Sequence, residues 1–384
     1  MVPVRGNSIT LLKNGAGYFP ALEAAIDAAT HDVLLETYIY RDDEVGHRIA
    51  DALRRAAARG VQVRLMLDAF GSRELPPAFL AGLADAGVTV QLFRPSRTWI
   101  TLRRSRLRRL HRKIALIDGR VGFVGGLNII DDRTENPTGG ERLDYAVRIE
   151  GPLLAQVYRV VHRLSWRVAI IAGQRRFSWR QPTVDARPAG DCVAAFVHRD
   201  NVRHRHDIEA MYLRGIRSAR REVVIACAYF LPGWRVRRAL RAAASRGVRV
   251  VLLLQGWTDH AVLQQATRVL YEALLERGVE IFEYTGGELH AKSGVVDERW
   301  ATVGSSNLDP FSLVLAREAN IVVFDDAFAR ELRASLEEEI RQRATPVRRM
   351  LWRRRGWLAR VAGWLSYAYA RLAIGIAGIA GRWL

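Results

Sequence analysis

Two cysteines, Cys192 and Cys227, are all that the 384-residue chain contains. They fit no disulfide framework and no C-x-x-C metal or redox spacing, so they read as reduced, buried thiols of a cytoplasmic protein. Lysine is almost as scarce. Of 59 basic residues only three are lysine, Lys13, Lys113 and Lys292, and the other 56 are arginine. No run of about 20 apolar residues occurs before the last part of the chain, which excludes a membrane-spanning body. The start, MVPVRGNSITLLKNG, has no basic segment followed by an apolar one, so no secretory signal is visible. Acids are missing from 341–384, where ten arginines stand alone.

What is present is ordinary globular composition, 49% hydrophobic and 26% charged, with an excess of positive charge, +19. Net charge speaks of partners rather than fold, and here it points to an anion: nucleic acid, an acidic membrane or a phosphate-bearing substrate. The excess is unevenly placed. The C-terminal tail holds ten of the positives, and Arg103, Arg104, Arg106, Arg108, Arg109 and Arg112 add six more.

The chain repeats itself. HDVLLETYIYRDDEVGHRIADALRRAAARGVQVRLMLDAFGS, from His31, resembles REVVIACAYFLPGWRVRRALRAAASRGVRVVLLLQGWTD, from Arg221. Each copy predicts an apolar strand, an amphipathic helix closed by a glycine (Gly60, Gly247), and a second apolar strand. A further helix and strand follow in each. Strands alternating with helices imply α/β units, and two copies imply a pseudo-twofold molecule with a site where the halves meet. The expected organisation is a first repeat over 1–157, a linker over 158–195, a second repeat over 196–340 and a basic tail over 341–384.

Each copy ends in the same constellation, H-x-K-x-x-x-x-D-x-x-x-x-x-x-G-[GS]-x-N. The first is LHRKIALIDGRVGFVGGLN, with His111, Lys113, Asp118, Gly126 and Asn128. The second is LHAKSGVVDERWATVGSSN, with His290, Lys292, Asp297, Ser305 and Asn307. On a strand, positions i and i+2 share a face, so His and Lys project together. The Asp falls at a turn, and the returning strand brings small residues and Asn back beside the His. Two such half-sites suit a phosphodiester. Lysines, asparagines and the Ser305 hydroxyl would hold non-bridging oxygens, one imidazole would attack phosphorus and the other would protonate the leaving alkoxide. Two of the three lysines stand at these motif positions, as a compact point charge would require. A lysine between would-be His and Asp ligands argues against a metal, and no cofactor is expected. Asp118 and Asp297 are carried with the catalytic set, although their turn positions also fit a structural role.

These twin motifs resemble the phospholipase D superfamily over nearly the whole chain. GSSNLDPFSL followed by REAN, with NGAGYFPALEAAI, LLETYIY, DYAVRIEGP and ACAYFLPG, is similar to the bacterial cardiolipin synthases, in particular the B-type without N-terminal membrane helices. The resemblance implies two tandem phospholipase D-like α/β sandwich repeats, each a mixed sheet flanked by helices. It implies formation of cardiolipin from phosphatidylglycerol and a second phosphatidylglycerol or phosphatidylethanolamine, with His111 as nucleophile and His290 as acid. The residues themselves do not distinguish the two histidines. A carboxylate soon after the motif commonly orients the imidazole in this family, which assigns Glu318 to His290 and Asp144 to His111. Tyr229 and Glu36 are weaker pocket candidates. One departure is GGLN rather than GSSN in the first copy, where Gly126 lacks the hydroxyl of Ser305.

In the tail, Arg360, Arg371 and Arg382 recur every 11 residues, which returns to one helical face. Arg349 and Arg353 fall near that stripe, and Trp357 and Trp364 accompany an apolar face. This predicts an amphipathic helix lying in the membrane interface and docking on anionic phospholipid; the resemblance implies that the membrane is the bacterial inner one, approached from its cytoplasmic face. The run before His111 would line the approach to it. A nuclease or a hydrolytic phospholipase D would carry the same motifs. Charge concentrated in an apolar, Trp-bearing tail favours lipid over nucleic acid, and no residue reports whether water or an alcohol completes the reaction. Oligomeric state is left open.

Overall fold

The structure, a computed structural model, describes residues 1–95, 108–133, 139–173, 183–257, 261–349, 363 and 365–368. The first half runs β1 (Val4–Lys13), α1 (Asn14–Asp27), β2 (Asp32–Thr37), α2 (Glu44–Ala58), β3 (Gln62–Asp68), α3 (Pro77–Asp85), β4 (Thr89–Phe93), β5 (Lys113–Ile117), β6 (Val121–Gly125), β7 (Tyr145–Glu150) and α4 (Leu154–Ile171). The second half runs β8 (Cys192–Arg199), α5 (Asp207–Ser218), β9 (Glu222–Cys227), α6 (Trp234–Ser245), β10 (Arg249–Gln255), α7 (Ala261–Val269), α8 (Tyr271–Leu275), β11 (Glu280–Tyr284), β12 (Lys292–Val296), β13 (Trp300–Gly304), β14 (Glu318–Phe324), α9 (Asp326–Arg343) and β15 (Ala344–Pro346).

Local chemistry accounts for the repeated unit. In α2, Val45, Ile49, Leu53 and Ala56 recur at helical spacing and are buried. Asp43 caps the helix by accepting from Gly46 N at 2.7 Å, and Gly60 beyond its end adopts φ 86°. β2 and β9 are buried along nearly their whole length because both their faces are covered. They pair in parallel with β3 and β10, as short strand–helix–strand units require.

The described strands form one 15-stranded mixed sheet in the order β15-β11-β10-β9-β12-β13-β14-β8-β1-β7-β6-β5-β2-β3-β4. The order reads alike outward from its middle, where β1 and β8 pair antiparallel. A pseudo-twofold therefore relates the halves. Each half has its own apolar core beneath its helices, one around Leu53, Leu65 and Phe123, the other around Leu240, Leu252 and Tyr212. A third core draws Leu34, Val147 and Tyr158 from the first half and Val224, Val303 and Leu332 from the second, so the inner faces pack on each other.

The predicted linker differs. Its first part continues α4, which buries Val157, Tyr158, Val161, Leu164 and Val168 on one face. The helical apolar spacing of VYRVVHRLSWRVA outweighs the break in the repeat pattern. The structure also runs α9 to Arg343, followed by β15 pairing with β11.

Candidate active site

Each motif builds the strand–turn–strand expected of it. β5 and β6 pair antiparallel with Lys113 opposite Gly125, and β12 and β13 do the same with Ser293 opposite Val303. The connecting turns place Asp118 and Gly119 at φ 51° and 65°, and Asp297 and Glu298 at 52° and 53°. Positive φ at two successive residues is the geometry of a tight hairpin turn.

That geometry corrects the role expected of the aspartates. Asp118 lies at the far end of β5 from His111. Its carboxylate accepts from the backbone N–H groups of Thr30, His31 and Asp32 at 2.7–2.9 Å. Asp297 accepts from Arg220, Arg221 and Glu222, each at 2.8 Å. Both lock the start of the neighbouring strand, β2 or β9. Donors directed at the charged form hold both carboxyls below the usual range against the burial that would raise them. They belong to the framework of the sheet.

The histidines stand just before β5 and β12 and come together through the other half of the molecule. His111 N donates to Arg317 O at 3.0 Å and Arg317 N to Arg109 O at 2.8 Å. The symmetry-related bridge runs from His290 N to Leu143 O at 2.8 Å and from Leu143 N to Glu288 O at 2.9 Å. These bridges deliver the residue after each, Glu318 or Asp144, to the opposite histidine. His111 Nδ1 lies 2.9 Å from Glu318 Oε1, and His290 Nδ1 lies 2.5 Å from Asp144 Oδ2. The expected pairing within each copy is therefore exchanged: Glu318 orients His111 and Asp144 orients His290. A carboxylate on Nδ1 leaves Nε2 as the nitrogen for chemistry.

Lys113 and Lys292 are buried, and each ammonium donates to the carbonyl of the histidine two residues before it, Lys113 at 2.8 Å. Burial, opposed by Glu318 and reinforced by Lys292, lowers Lys113 to about 7. Burial likewise lowers Lys292, although Asp144 pulls it up. Burial raises Asp144 to about 7, and burial together with Lys292, Arg142 and Lys113 drives His290 well below its ordinary value. His111 is lowered by burial while Glu318 draws it back. Charges of both halves act on each lysine, Glu318, Lys292 and Asp144 on Lys113, and Asp144 and Glu318 on Lys292, which places the two motifs in one enclosure.

Asn128 Oδ1 accepts from Ile39 N at 3.2 Å and Asn307 Oδ1 from Tyr229 N at 3.3 Å. Each amide oxygen is thereby engaged by backbone and its NH2 is the end suited to an anionic oxygen. Ser305 does not fit the phosphate-binding role expected of it. Its fully buried hydroxyl donates to Glu318 Oε2 at 2.5 Å, so it acts on the carboxylate behind His111.

Two further residues escaped the sequence, and a third was given another role. The Tyr38 ring packs edge-on against His111, centroids 4.8 Å apart, and lies 5.6 Å from Lys113 Nζ. Arg142 donates to Glu288 Oε2 at 2.9 and 2.7 Å beside His290. Arg112, read as part of a basic run, is 1% exposed and donates to Glu36 at 2.5 and 2.8 Å. Glu36 is thus tied in a buried ion pair rather than free in the site. Only the end of LLETYIY hinted at Tyr38, through its place at a strand terminus. Tyr229 borders a crevice with Gln255 and Tyr271.

Arg103, Arg104 and Arg106 lie outside the described residues, as do Arg353, Trp357, Arg360, Trp364, Arg371 and Arg382 of the tail. Arg349 pairs with Glu276 at 3.6 Å across the surface, a contact of small energy. Tyr367 packs on the second-half core. No helix among the described residues is long and apolar enough to cross a membrane. The group among them whose ligand atoms could meet on a metal, within 4.8 Å of one another, is His198, Asp200 and His204, which includes neither motif histidine.

The fold thus brings the two motifs of one chain together, each histidine against a carboxylate of the other half. Comparison with known proteins gives the family. The family model described as "Cardiolipin synthase, PLD-like domain" matches residues 22–163 and 212–340, and the chain belongs to that family. It is 40% identical over 371 residues to cardiolipin synthase B of Salmonella typhimurium, covering 95% of this chain and 88% of that one. It is 32% identical over 343 residues to the major cardiolipin synthase ClsA of Bacillus subtilis, covering 87% and 69%. Among solved structures, the phosphatidylserine synthase of Haemophilus influenzae superposes with a TM-score of 0.69 at 14% identity, covering 98% of this chain and 95% of that one. That last likeness is one of fold.

Proposed function

We propose that the chain is a phosphatidyltransferase that makes cardiolipin from phosphatidylglycerol. The observation that carries this reading is the exchanged pairing: each motif histidine is held at Nδ1 by a buried carboxylate of the other half. Two imidazoles so fixed present Nε2 to one phosphodiester from two sides.

In the first step one imidazole Nε2 attacks phosphorus. The P–O bond to the departing glycerol breaks, and the second imidazole, protonated, gives its proton to that oxygen. The phosphatidyl group is then a phosphohistidine. The hydroxyl of a second phosphatidylglycerol enters, yields its proton to the second imidazole and attacks phosphorus as the P–N bond breaks. Atoms and charge balance over the cycle. The resemblance assigns His111 as nucleophile and His290 as acid and base. Lys113, Lys292 and the amides of Asn128 and Asn307 take the non-bridging oxygens, where the developing charge needs them. Phosphatidylethanolamine would serve as an alternative partner. The basic tail docks the enzyme on anionic lipid as a peripheral protein of the cytoplasmic membrane face.

The test is incubation of purified protein with phosphatidylglycerol vesicles, with and without phosphatidylethanolamine, and mass spectrometry of the products. Cardiolipin is expected, and His111→Ala and His290→Ala should each abolish it. Phosphatidic acid alone would make the chain a hydrolase. Cleavage of DNA without any lipid product would make it a nuclease.

A further inference from the structure

The two half-sites differ at one motif position and at one carboxylate, and the structure ties these differences together. Gly126 and Ser305 occupy equivalent places, each donating its backbone N–H to the strand that follows, to Tyr145 O at 3.0 Å and to Ala319 O at 2.9 Å. The carboxylates beside them differ by one methylene, Asp144 in the first half and Glu318 in the second.

A Cβ on Gly126 would stand 2.2 and 2.5 Å from the carboxylate oxygens of Asp144 and 2.7 Å from its carbon. The short acid thus fills the space that a side chain at 126 would take. Asp144 Oδ1 accepts from Tyr145 N at 2.8 Å while Oδ2 meets His290. In the other half the longer Glu318 clears the serine. Its Oε2 accepts from Ser305 Oγ at 2.5 Å while Oε1 meets His111. Ser305 Oγ in turn accepts from Ala319 N at 3.0 Å. Each carboxylate therefore has one oxygen on a histidine and one on a local donor. That donor is a backbone N–H where the acid is short and a serine hydroxyl where it is long.

We infer that Gly126 with Asp144, and Ser305 with Glu318, are length-matched pairs, and that Gly126 and Ser305 are positioning residues for His290 and His111 respectively. The GGLN departure in the first motif is then a requirement of Asp144. The inference rests on the twin-histidine reading of the site, so its test has an arm independent of turnover.

The variants are Gly126→Ser, Asp144→Glu and the two combined. Gly126→Ser should push Asp144 off His290 and lower kcat by at least about 10-fold, with KM for phosphatidylglycerol unchanged, since disabling the carboxylate behind a catalytic imidazole can cost about 10⁴-fold. The double variant should regain at least 10-fold of that loss, because it recreates the second-half pair. Asp144→Glu alone should stay impaired, lacking a hydroxyl partner. The low-field imidazole N–H proton resonance of His290 should vanish in Gly126→Ser and return in the double variant. Ser305→Ala, which adds no bulk, should lower kcat about 10-fold and move the His111 resonance instead. The inference falls if Gly126→Ser is as active as wild type with its His290 resonance in place. It also falls if the double variant, folded by its melting curve, recovers neither rate nor resonance. Wild-type protein with both resonances and no lipid turnover would overturn the cardiolipin reading and leave the pairing intact.

Discussion

Lys113 should be costly to the fold and necessary to the reaction, and replacing it with methionine separates the two. Lys113 is 2% exposed, and burial lowers its ammonium from 10.5 to about 7. At about 1.4 kcal/mol for each tenfold change, holding it charged costs about 5 kcal/mol. Below pH 7 the lysine is charged in both the folded and the unfolded chain, so the whole cost is present. Between pH 7 and 10.5 the unfolded chain keeps a proton that the folded one has released, so stability rises with pH. Lys113→Met removes the cost but leaves His111 O without its donor, a loss of about 1.5 kcal/mol. The variant should gain about 3 kcal/mol at pH 6, and the gain should shrink to about zero near pH 9.5. Urea denaturation followed by tryptophan fluorescence at the two pH values measures this. Turnover on phosphatidylglycerol should fall by about 10²–10³-fold. A variant less stable than wild type at pH 6, or a gain equal at both pH values, would refute the burial argument.

Two further outcomes follow from other parts of the molecule. Asp118→Ala and Asp297→Ala should each lower stability by about 2–3 kcal/mol, seen as an earlier urea midpoint, and leave kcat within about threefold of wild type. A large loss of kcat without a loss of stability would return these aspartates to the chemistry. Removal of residues 350–384, which spares β15, should abolish co-sedimentation with phosphatidylglycerol vesicles while the body stays folded. Unchanged co-sedimentation would remove the tail from membrane docking.

What could be read in the sequence was whatever depends on near neighbours. H-x-K at i and i+2, the D-G turn and the small residues before Asn predict a strand, a reversal and a returning strand, and both hairpins form. The repeated strand–helix–strand units were legible for the same reason. The turn also held the hint that Asp118 is structural, since a residue at the far end of the strand from His111 cannot reach the phosphate. Arg112 was misread because a run of arginines carries no sign of which one turns inward, and only the fold sets Glu36 beside it. The linker was misread where a loss of repeat similarity concealed an ordinary amphipathic helix.

The sequence by itself pointed to two half-sites, each with a His, a Lys and an Asn, that would serve one phosphodiester. Only the tertiary structure decided whose carboxylate holds whose histidine. His111 and Glu318 lie 207 residues apart, and His290 and Asp144 lie 146 apart. Their pairing depends on the β1–β8 seam and on backbone bridges between halves. No local spacing encodes these, because a pseudo-twofold leaves the pairing within a copy and the pairing across copies equally compatible with the same residues.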